Sequence, residues 1–285
     1  MVLSLIGGAK KYIPLGLKVR ARAVQAQAAA WGARLSALSS KYKCSVCGRR
    51  VKAFEPLPEF YTENIRKYGY PYKEPETCNL EQYLCPVCGA SDRDRLYALY
   101  LKRYFSSVGG VGGRMRVVDF APFAPLTRRI RKLIARSGSD VAYRTADLYA
   151  ENVDDKIDIT DIKAYGENEV DFFICSHVLE HVPDDRRALR ELYRILKPGG
   201  GGILMVPIAL DLDETDEDPS VTDEAERWRR FGQDDHVRQY SKGSFLERVR
   251  EAGFSVHQYG RDFFGARSFA ENGISDRSVL YVVEK

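Results

Sequence analysis

The sequence predicts a doubly wound α/β sheet from Arg114 to the C-terminus, preceded by a small cysteine-rich module and a basic N-terminal helix. Three observations lead there. After Arg114, short apolar strands alternate with amphipathic helices, the pattern of a parallel sheet covered on both faces. A Gly- and Ser-rich stretch, Ser106–Gly113, separates that region from what comes before it. Two Cys-x-x-Cys pairs fall in a segment rich in Tyr and Pro that cannot build a core of its own.

Residues 1–40 read as a helix after a ragged start. Val24, Ala28, Trp31, Leu35 and Leu38 recur at alternating spacings of four and three and share one face. Residues 1–54 carry eleven Lys or Arg and no acid, whereas residues 55–285 hold 33 basic and 40 acidic side chains. The helix either docks on its own protein or meets something acidic, an anionic lipid surface or a nucleic acid. Its alanine-rich middle makes the apolar face shallow, which weakens the lipid reading. No apolar run is long enough for a transmembrane helix. Lys10 and Lys11 follow the apolar opening and no small-residue cleavage site does, which argues against a secretory signal. A cytoplasmic location follows as the expectation, with peripheral membrane contact left open.

Residues 41–91 form the cysteine module. Cys44-Ser-Val-Cys-Gly48 and Cys85-Pro-Val-Cys-Gly89 each have the form of half a zinc ribbon. The Gly after each second Cys permits a tight turn whose amides bond to the thiolates, and four thiolates suit Zn²⁺. Without a secretory signal, Cys44, Cys47, Cys85 and Cys88 read as metal ligands rather than disulfide partners. The halves stand further apart in sequence than in an ordinary ribbon, so the Tyr-rich stretch 56–76 reads as an irregular insertion. Cys78 reads as a buried thiol and Cys175 as core.

Residues 92–113 are a helix and the linker, with Ser91 or Asp92 as cap. Over 114–285 the strands are Met115–Phe120, Val141–Thr145, a short Lys156–Ile159, the very apolar Asp171–Ser176, and Gly202–Pro207. Helices fall at Leu126–Ser137 and Asp184–Leu196, the second ended by Lys197-Pro-Gly-Gly. A long acidic connection runs to Tyr240, followed by a helix Lys242–Ala252 and late strands Phe254–Tyr259 and Val279–Val283. Ligands of such sheets bind beyond the carboxyl ends of the strands, where strand order reverses. Residues just after the first four strands are therefore the site candidates.

Asp171-Phe-Phe-Ile-Cys-Ser-His-Val-Leu-Glu-His-Val-Pro-Asp184, with Leu196-Lys-Pro-Gly-Gly200 downstream, carries a family resemblance. It resembles the fourth- and fifth-strand motifs of class I S-adenosylmethionine (SAM) dependent methyltransferases of the type 11-like group. The resemblance implies a Rossmann-like methyltransferase sheet, SAM as cofactor and methyl transfer as the reaction. It also implies cofactor contacts. Asp147 would hold the ribose, with Leu148 beside it. Asp158 and Ile159 would flank the adenine. Ser176 and His177 would border the methionine end. From the residues alone, Asp147 and Asp158 are equally readable as turn or cap residues. The first-strand motif departs from the family's glycine loop and reads Val117-Val-Asp-Phe-Ala-Pro-Phe-Ala-Pro125. Asp119 is in place, but Ala121 and Phe123 stand where the first two glycines belong. Alanine fits there if its backbone angles are ordinary, and Phe123 requires the loop to take another path.

The connection from Ile208 to Tyr240 is too long for filler and should hang over the methyl-transfer site. His236 within it is the general-base candidate, or else a histidine that anchors the loop. Arg238 and Tyr240 are substrate-binding candidates or else hold the loop, and His181 reads as ordering the loop after the fourth strand. The leading expectation is O-methylation of a sugar or another small polar acceptor, a glycan included. One alternative is an RNA methyltransferase that grips RNA with its zinc module and basic arm. Against it, residues 44–88 hold six basic and six acidic side chains, no basic footprint. The other alternative is a non-catalytic zinc-ribbon scaffold whose SAM site has decayed.

Overall fold

The computed structural model describes residues 40–71, 73–108 and 113–285. The helix expected over residues 1–40 lies, apart from Ser40, outside the described residues, as does part of the glycine-rich linker.

The cysteine module opens with a two-stranded ribbon, β1 (Tyr42–Lys43) and β2 (Arg50–Val51), paired antiparallel. The stretch expected to be irregular then forms a helix, α1 (Glu59–Tyr68). Helical periodicity hid it because its contacts are aromatic rather than an aliphatic stripe. Tyr68 stacks on Trp228 and Phe60 meets the same indole edge-on, with centroids 6.0 Å apart in both pairs. Next comes α2 (Asp92–Ser107). The Ser91 side chain accepts from the Asp94 amide while the Asp94 carboxylate accepts from the Ser91 amide, a reciprocal cap worth about 1 kcal/mol. Leu96, Leu101 and Phe105 are buried on its inner face.

The sheet follows, with β3 (Met115–Phe120), α3 (Ala124–Ser137), β4 (Val141–Asp147), β5 (Asp155–Lys156), β6 (Val170–Ser176), α4 (Asp185–Ile195) and β7 (Leu196–Met205) in chain order. The connection after β7 is not bare loop. It holds β8 (Ile208–Ala209), β9 (Asp216–Glu217), α5 (Glu224–Phe231) and β10 (Arg238–Ser241), and the three strands make a small sheet in the order β8-β10-β9. The chain closes with α6 (Lys242–Glu251), β11 (Ser255–Tyr259), α7 (Arg261–Phe264), α8 (Ala266–Glu271) and β12 (Leu280–Glu284).

The seven-stranded sheet runs β11-β12-β7-β6-β3-β4-β5, parallel from β7 to β5 and antiparallel where β12 meets β7 and β11. This is the Rossmann-like methyltransferase arrangement. Val117, Val118, Phe172, Phe173 and Ile174 are at most 1% exposed, so β3 and β6 read as continuous apolar runs, as strands buried on both faces must.

Two expected boundaries move. The third strand shrinks to Asp155–Lys156, and Ile157 and Ile159 turn inward as loop residues, 6% exposed each. Lys197-Pro-Gly-Gly does not stop α4, because the helix is already over at Ile195 and these residues begin β7. Packing accounts for the last glycine of the run, since a Cβ on Gly202 would lie 2.7 Å from the Phe173 ring.

Arg95 ties the cysteine module to the sheet domain. It is wholly buried, with its guanidinium 3.7 Å from the Phe54 ring centroid. It donates to the carbonyls of Tyr83, Ala90 and Gln82 in the module and of Asn272 and Gly273 beyond α8. Each neutral acceptor helps offset the desolvation of the charge.

Candidate active site

Strand order reverses at β3, which pairs with β4 on one side and β6 on the other. A cavity of about 690 Å³ opens there, within the range of ligand clefts. Its floor comes from residues after the strand ends: Ala121 and Pro122, Asp147 and Leu148, Asp158 and Ile159, Ser176 and His177. Tyr61, Ile65, Tyr70 and Tyr83 from the cysteine module and Phe231 and His236 from the β7–β10 connection also line it.

Ala121 is in the left-handed region, at φ 53°. The condition of ordinary angles is not met. The loop keeps the backbone shape that glycine would adopt freely, and alanine carries the strain, about 1–2 kcal/mol. The Ala121 amide still donates to the Ala146 carbonyl at 2.8 Å, which holds the loop against β4. Phe123 causes no detour. It is 5% exposed, joins the hydrophobic core and stands as N-cap of α3, with Pro125 in the first turn.

Asp147 Oδ1 accepts from the Tyr149 and Ala150 amides, both at 2.7 Å, which fixes the carboxylate at the cavity wall. Leu148 next to it is 46% exposed, an apolar side chain presented at the cavity. Asp158 Oδ1 accepts from the Thr160 amide and hydroxyl at 2.8 and 2.7 Å, so it is a turn residue and a cavity residue at once. Ser176 Oγ lies 2.9 Å from the Tyr97 hydroxyl. Asp119, read with the first-strand motif as a cofactor contact, is corrected here because it does not line the cavity. It is 2% exposed and accepts a 2.5 Å hydrogen bond from the Tyr143 hydroxyl underneath the loop.

Four titratable side chains converge beyond β6. Glu180 is fully buried, and its Oε2 has no hydrogen bond. His177 Nδ1 stands 3.0 Å from its Oε1 and His181 Nε2 stands 3.9 Å from it. Burial pushes the Glu180 carboxyl up, but the imidazoles of His177, His181 and His236 outweigh that and hold it down at about 2. His177 takes a left-handed φ of 56°, and Arg93 Nη1 donates to its Nε2 at 2.7 Å. His236 is 3% exposed, and burial first and the neighbouring His181 second hold it down at about 4. It is a neutral imidazole at neutral pH. Its Nδ1 lies 3.3 Å from the Phe231 carbonyl, which only accepts, so Nδ1 carries the proton and Nε2 the lone pair.

Arg238 and Tyr240 are placed away from the cavity, which corrects the substrate reading and leaves the alternative that they hold the loop. They are 1% and 0% exposed, and neither lines the cavity. Side chains alternate along β10, so Gln239 between them faces the cavity instead. Arg238 donates to the carbonyls of Leu179, Val182 and Pro183 and pairs with Glu217 at 3.0 Å. The Tyr240 hydroxyl donates to Asp185 at 2.6 Å. Both hold the connection onto the loop that bears Glu180.

The four predicted metal-ligating sulfurs do come together, all within 4.8 Å of one another. Cys44 and Cys88 are 3.8 Å apart, and Cys47 and Cys85 are 3.9 Å apart. Four sulfurs at ordinary Zn–S length around a tetrahedron sit about 3.8 Å apart. The Gly48 and Gly89 amides donate back to the Cys44 and Cys85 carbonyls, both at 2.8 Å, and both glycines have positive φ. Cys78 lines the cavity, and burial pushes its thiol up to about 12.

Several cavity residues escaped sequence reasoning. Arg93, Tyr61, Tyr70 and Tyr83 come from the cysteine module and its helix, whose sequence contains no sign that it closes over the sheet. Glu180 stood inside the Leu-Glu-His motif, between His177 and His181, and was the one member with a readable signal.

A family model described as "Methyltransferase domain" matches residues 109–259. A ubiquinone biosynthesis O-methyltransferase of Pseudomonas entomophila is 38% identical over 66 residues, a stretch covering 22% of this chain and 23% of that protein. A chain of the Haloferax volcanii complex between the Trm112 methyltransferase activator and a methyltransferase matches with TM-score 0.41 and 17% identity, over 68% of this chain and 92% of that one. A SAM-dependent methyltransferase of Mesorhizobium loti matches with TM-score 0.39 and 15% identity, over 64% of this chain and 96% of that one. With its family model spanning 109–259 and its strands in the methyltransferase order, the chain belongs to the SAM-dependent methyltransferase family.

Proposed function

We propose that this protein methylates a hydroxyl oxygen on a small acceptor held between the sheet and the cysteine module. The observation that carries this reading is His236, a buried neutral imidazole on the cavity wall whose tautomer leaves Nε2 basic. SAM supplies an electrophilic methyl group on a sulfonium. Asp147 and Leu148 suit its ribose, and Asp158 and Ile159 suit its adenine. The wall bears five carboxylates against the guanidiniums of Arg93 and Arg187, a balance that favours a cationic cofactor and disfavours a polyanion such as RNA. Tyr61, Ile65, Tyr70 and Phe231 offer an apolar surface, and Gln239 and Tyr83 offer polar atoms among them. That combination suits a sugar face or another hydroxylated ring. Alignment of the hydroxyl supplies much of the rate, and His236 takes its proton. The four-cysteine cluster holds a structural Zn²⁺ that stabilises the wall from the module side.

The test is methyl transfer from radiolabelled SAM into fractionated cell extract. Label in a small-molecule or glycan fraction, stable as an ether, is the expected result. Label in RNA or protein alone, or no transfer at all, overturns the reading.

A further inference from the structure

Glu180, His181 and His236 each offer one potential ligand atom, and these atoms lie within 4.8 Å of one another. The geometry is that of a ligand set with its supporting contacts already in place. His181 Nδ1 is 3.3 Å from the Asp235 carbonyl and 3.5 Å from the Asp235 carboxylate. His236 Nδ1 is 3.3 Å from the Phe231 carbonyl. Both Nδ1 atoms thus carry protons engaged by oxygen acceptors, and both Nε2 atoms are lone-pair donors. Metal-bound histidines are held in this way, with the remote N–H donated to a carbonyl or carboxylate. Glu180 contributes a fully buried carboxylate that meets His177 Nδ1 at 3.0 Å through Oε1 and has no hydrogen bond on Oε2, so one oxygen of a buried anion is still without a partner. The two segments are locked in register by a main-chain bond, Val237 amide to Glu180 carbonyl, at 2.9 Å. Arg238 clamps the carbonyls on either side of that loop.

We infer that Glu180, His181 and His236 form a divalent-cation site, distinct from the four-cysteine cluster, that binds the acceptor hydroxyl from the cavity wall. Two imidazoles and a carboxylate suit a borderline or hard divalent ion such as Mn²⁺, Co²⁺ or Zn²⁺, whereas the four thiolates select a softer one. Three protein ligands leave further coordination positions open, and the cavity supplies the space. The hydroxyl oxygen enters one of them, its proton passes to water, and the bound alkoxide or phenolate is the nucleophile. With the cation bound, the His236 Nε2 lone pair serves as its ligand, and in the cation-free chain the same lone pair is the base of the proposed reaction. This role rests on the O-methylation reading, but the binding of the cation does not.

The experiment is a Mn²⁺ titration of the zinc-loaded full chain, following loss of the free-ion electron paramagnetic resonance signal. Mn²⁺ has little affinity for thiolates, so the four-cysteine cluster stays silent. The expected result is one Mn²⁺ bound per chain. Glu180→Gln and His181→Asn each weaken it at least about tenfold while SAM binding persists by calorimetry. A wild-type chain that leaves the Mn²⁺ signal unchanged, and shows no Co²⁺ visible absorption beyond that of thiolate sites, overturns the proposal. So do variants that bind as tightly as wild type. Mn²⁺ binding by a chain that methylates no hydroxyl leaves the cation site standing and sinks the O-methylation reading. Hydroxyl methylation by a chain that binds neither ion does the reverse.

Discussion

His181 and His236 meet edge to face, with ring centroids 4.8 Å apart and planes at 82°, although 54 residues separate the His181 ring from the Asp235 carbonyl that orients it. One belongs to the loop after β6 and the other to the connection after β7. The methyltransferase sheet brings the first to the cavity, and the β10 clamp brings the second to it.

Replacing His236 by Gln removes the lone pair at this junction while keeping much of the volume. kcat for methyl transfer should fall by about two to four orders of magnitude, the usual contribution of a positioned acid–base group. SAM affinity should change little, because His236 reaches the cavity from the acceptor side. Steady-state kinetics with calorimetric SAM binding separates the two effects. A fall in SAM affinity as large as the fall in kcat would place His236 with the cofactor instead.

Asp147→Ala tests the cofactor side. A carboxylate hydrogen bond contributes about 1.5–3 kcal/mol, so SAM should bind roughly 10–100-fold more weakly. The two amides that Asp147 accepts lose their partner as well, but Tyr149 is exposed and water can replace it. Asp147→Asn should recover part of the affinity. Unchanged binding in Asp147→Ala would show that the residue is only a turn former.

Much of the sheet was legible in the sequence because its central strands are buried on both faces and stay apolar without interruption. Val117–Val118 and Phe172–Ile174 are cases of this. The ends of strands were less legible. Ile157 and Ile159 look like strand residues but are buried from a loop. Arg238 and Tyr240 were readable as substrate ligands or as loop anchors from their place in the chain, and alternation along β10 made them anchors and turned Gln239 to the cavity instead. The cavity's cover was not legible at all. Tyr61, Tyr70 and Arg93 reach the sheet by tertiary packing, which leaves no period or motif in the sequence.

Ala121→Gly should stabilise the protein. Relief of left-handed strain contributes about 1–2 kcal/mol, and the added freedom of glycine in the unfolded chain takes back about 0.5–1 kcal/mol. The net gain of about 0.5–1 kcal/mol is measurable by chemical denaturation. A destabilised variant would mean that the Ala121 methyl makes a contact worth more than the strain.

The four-cysteine cluster should yield one zinc per chain by elemental analysis, and Cys85→Ser should lose it. Cys85 is 1% exposed and shares the core with Val51 and Phe54, so loss of the metal loosens packed structure rather than a surface loop. Even about 3 kcal/mol lost corresponds to roughly 6–12 °C in Tm for a domain of this size. Because Tyr83 and Arg93 flank the module on the cavity side, SAM affinity should weaken along with stability. A metal-free chain with unaltered Tm would remove the structural role assigned to zinc.

Glu217 makes the clamp sensitive to acid. It faces Arg248 from α6 at 2.7 Å and Arg238 from β10 at 3.0 Å, and Asp185 of α4 shares both guanidiniums with it. The Arg248 hydrogen bonds, first, and then those of Arg238 hold the Glu217 carboxyl at about 2, below its ordinary 4.5, against a burial that raises it. A depressed folded-state value means that the unfolded chain takes up a proton first as pH falls. The stabilisation is therefore complete above about pH 4.5 and drains away towards pH 2. Glu217→Gln removes that dependence, so the Tm difference between wild type and variant should narrow steadily as pH is lowered from 6 to about 3. Glu217 remains partly solvated, which keeps the effect modest. A gap that is constant over that range would show that Glu217 acts through packing alone and that its charge does not hold the connection to Arg238.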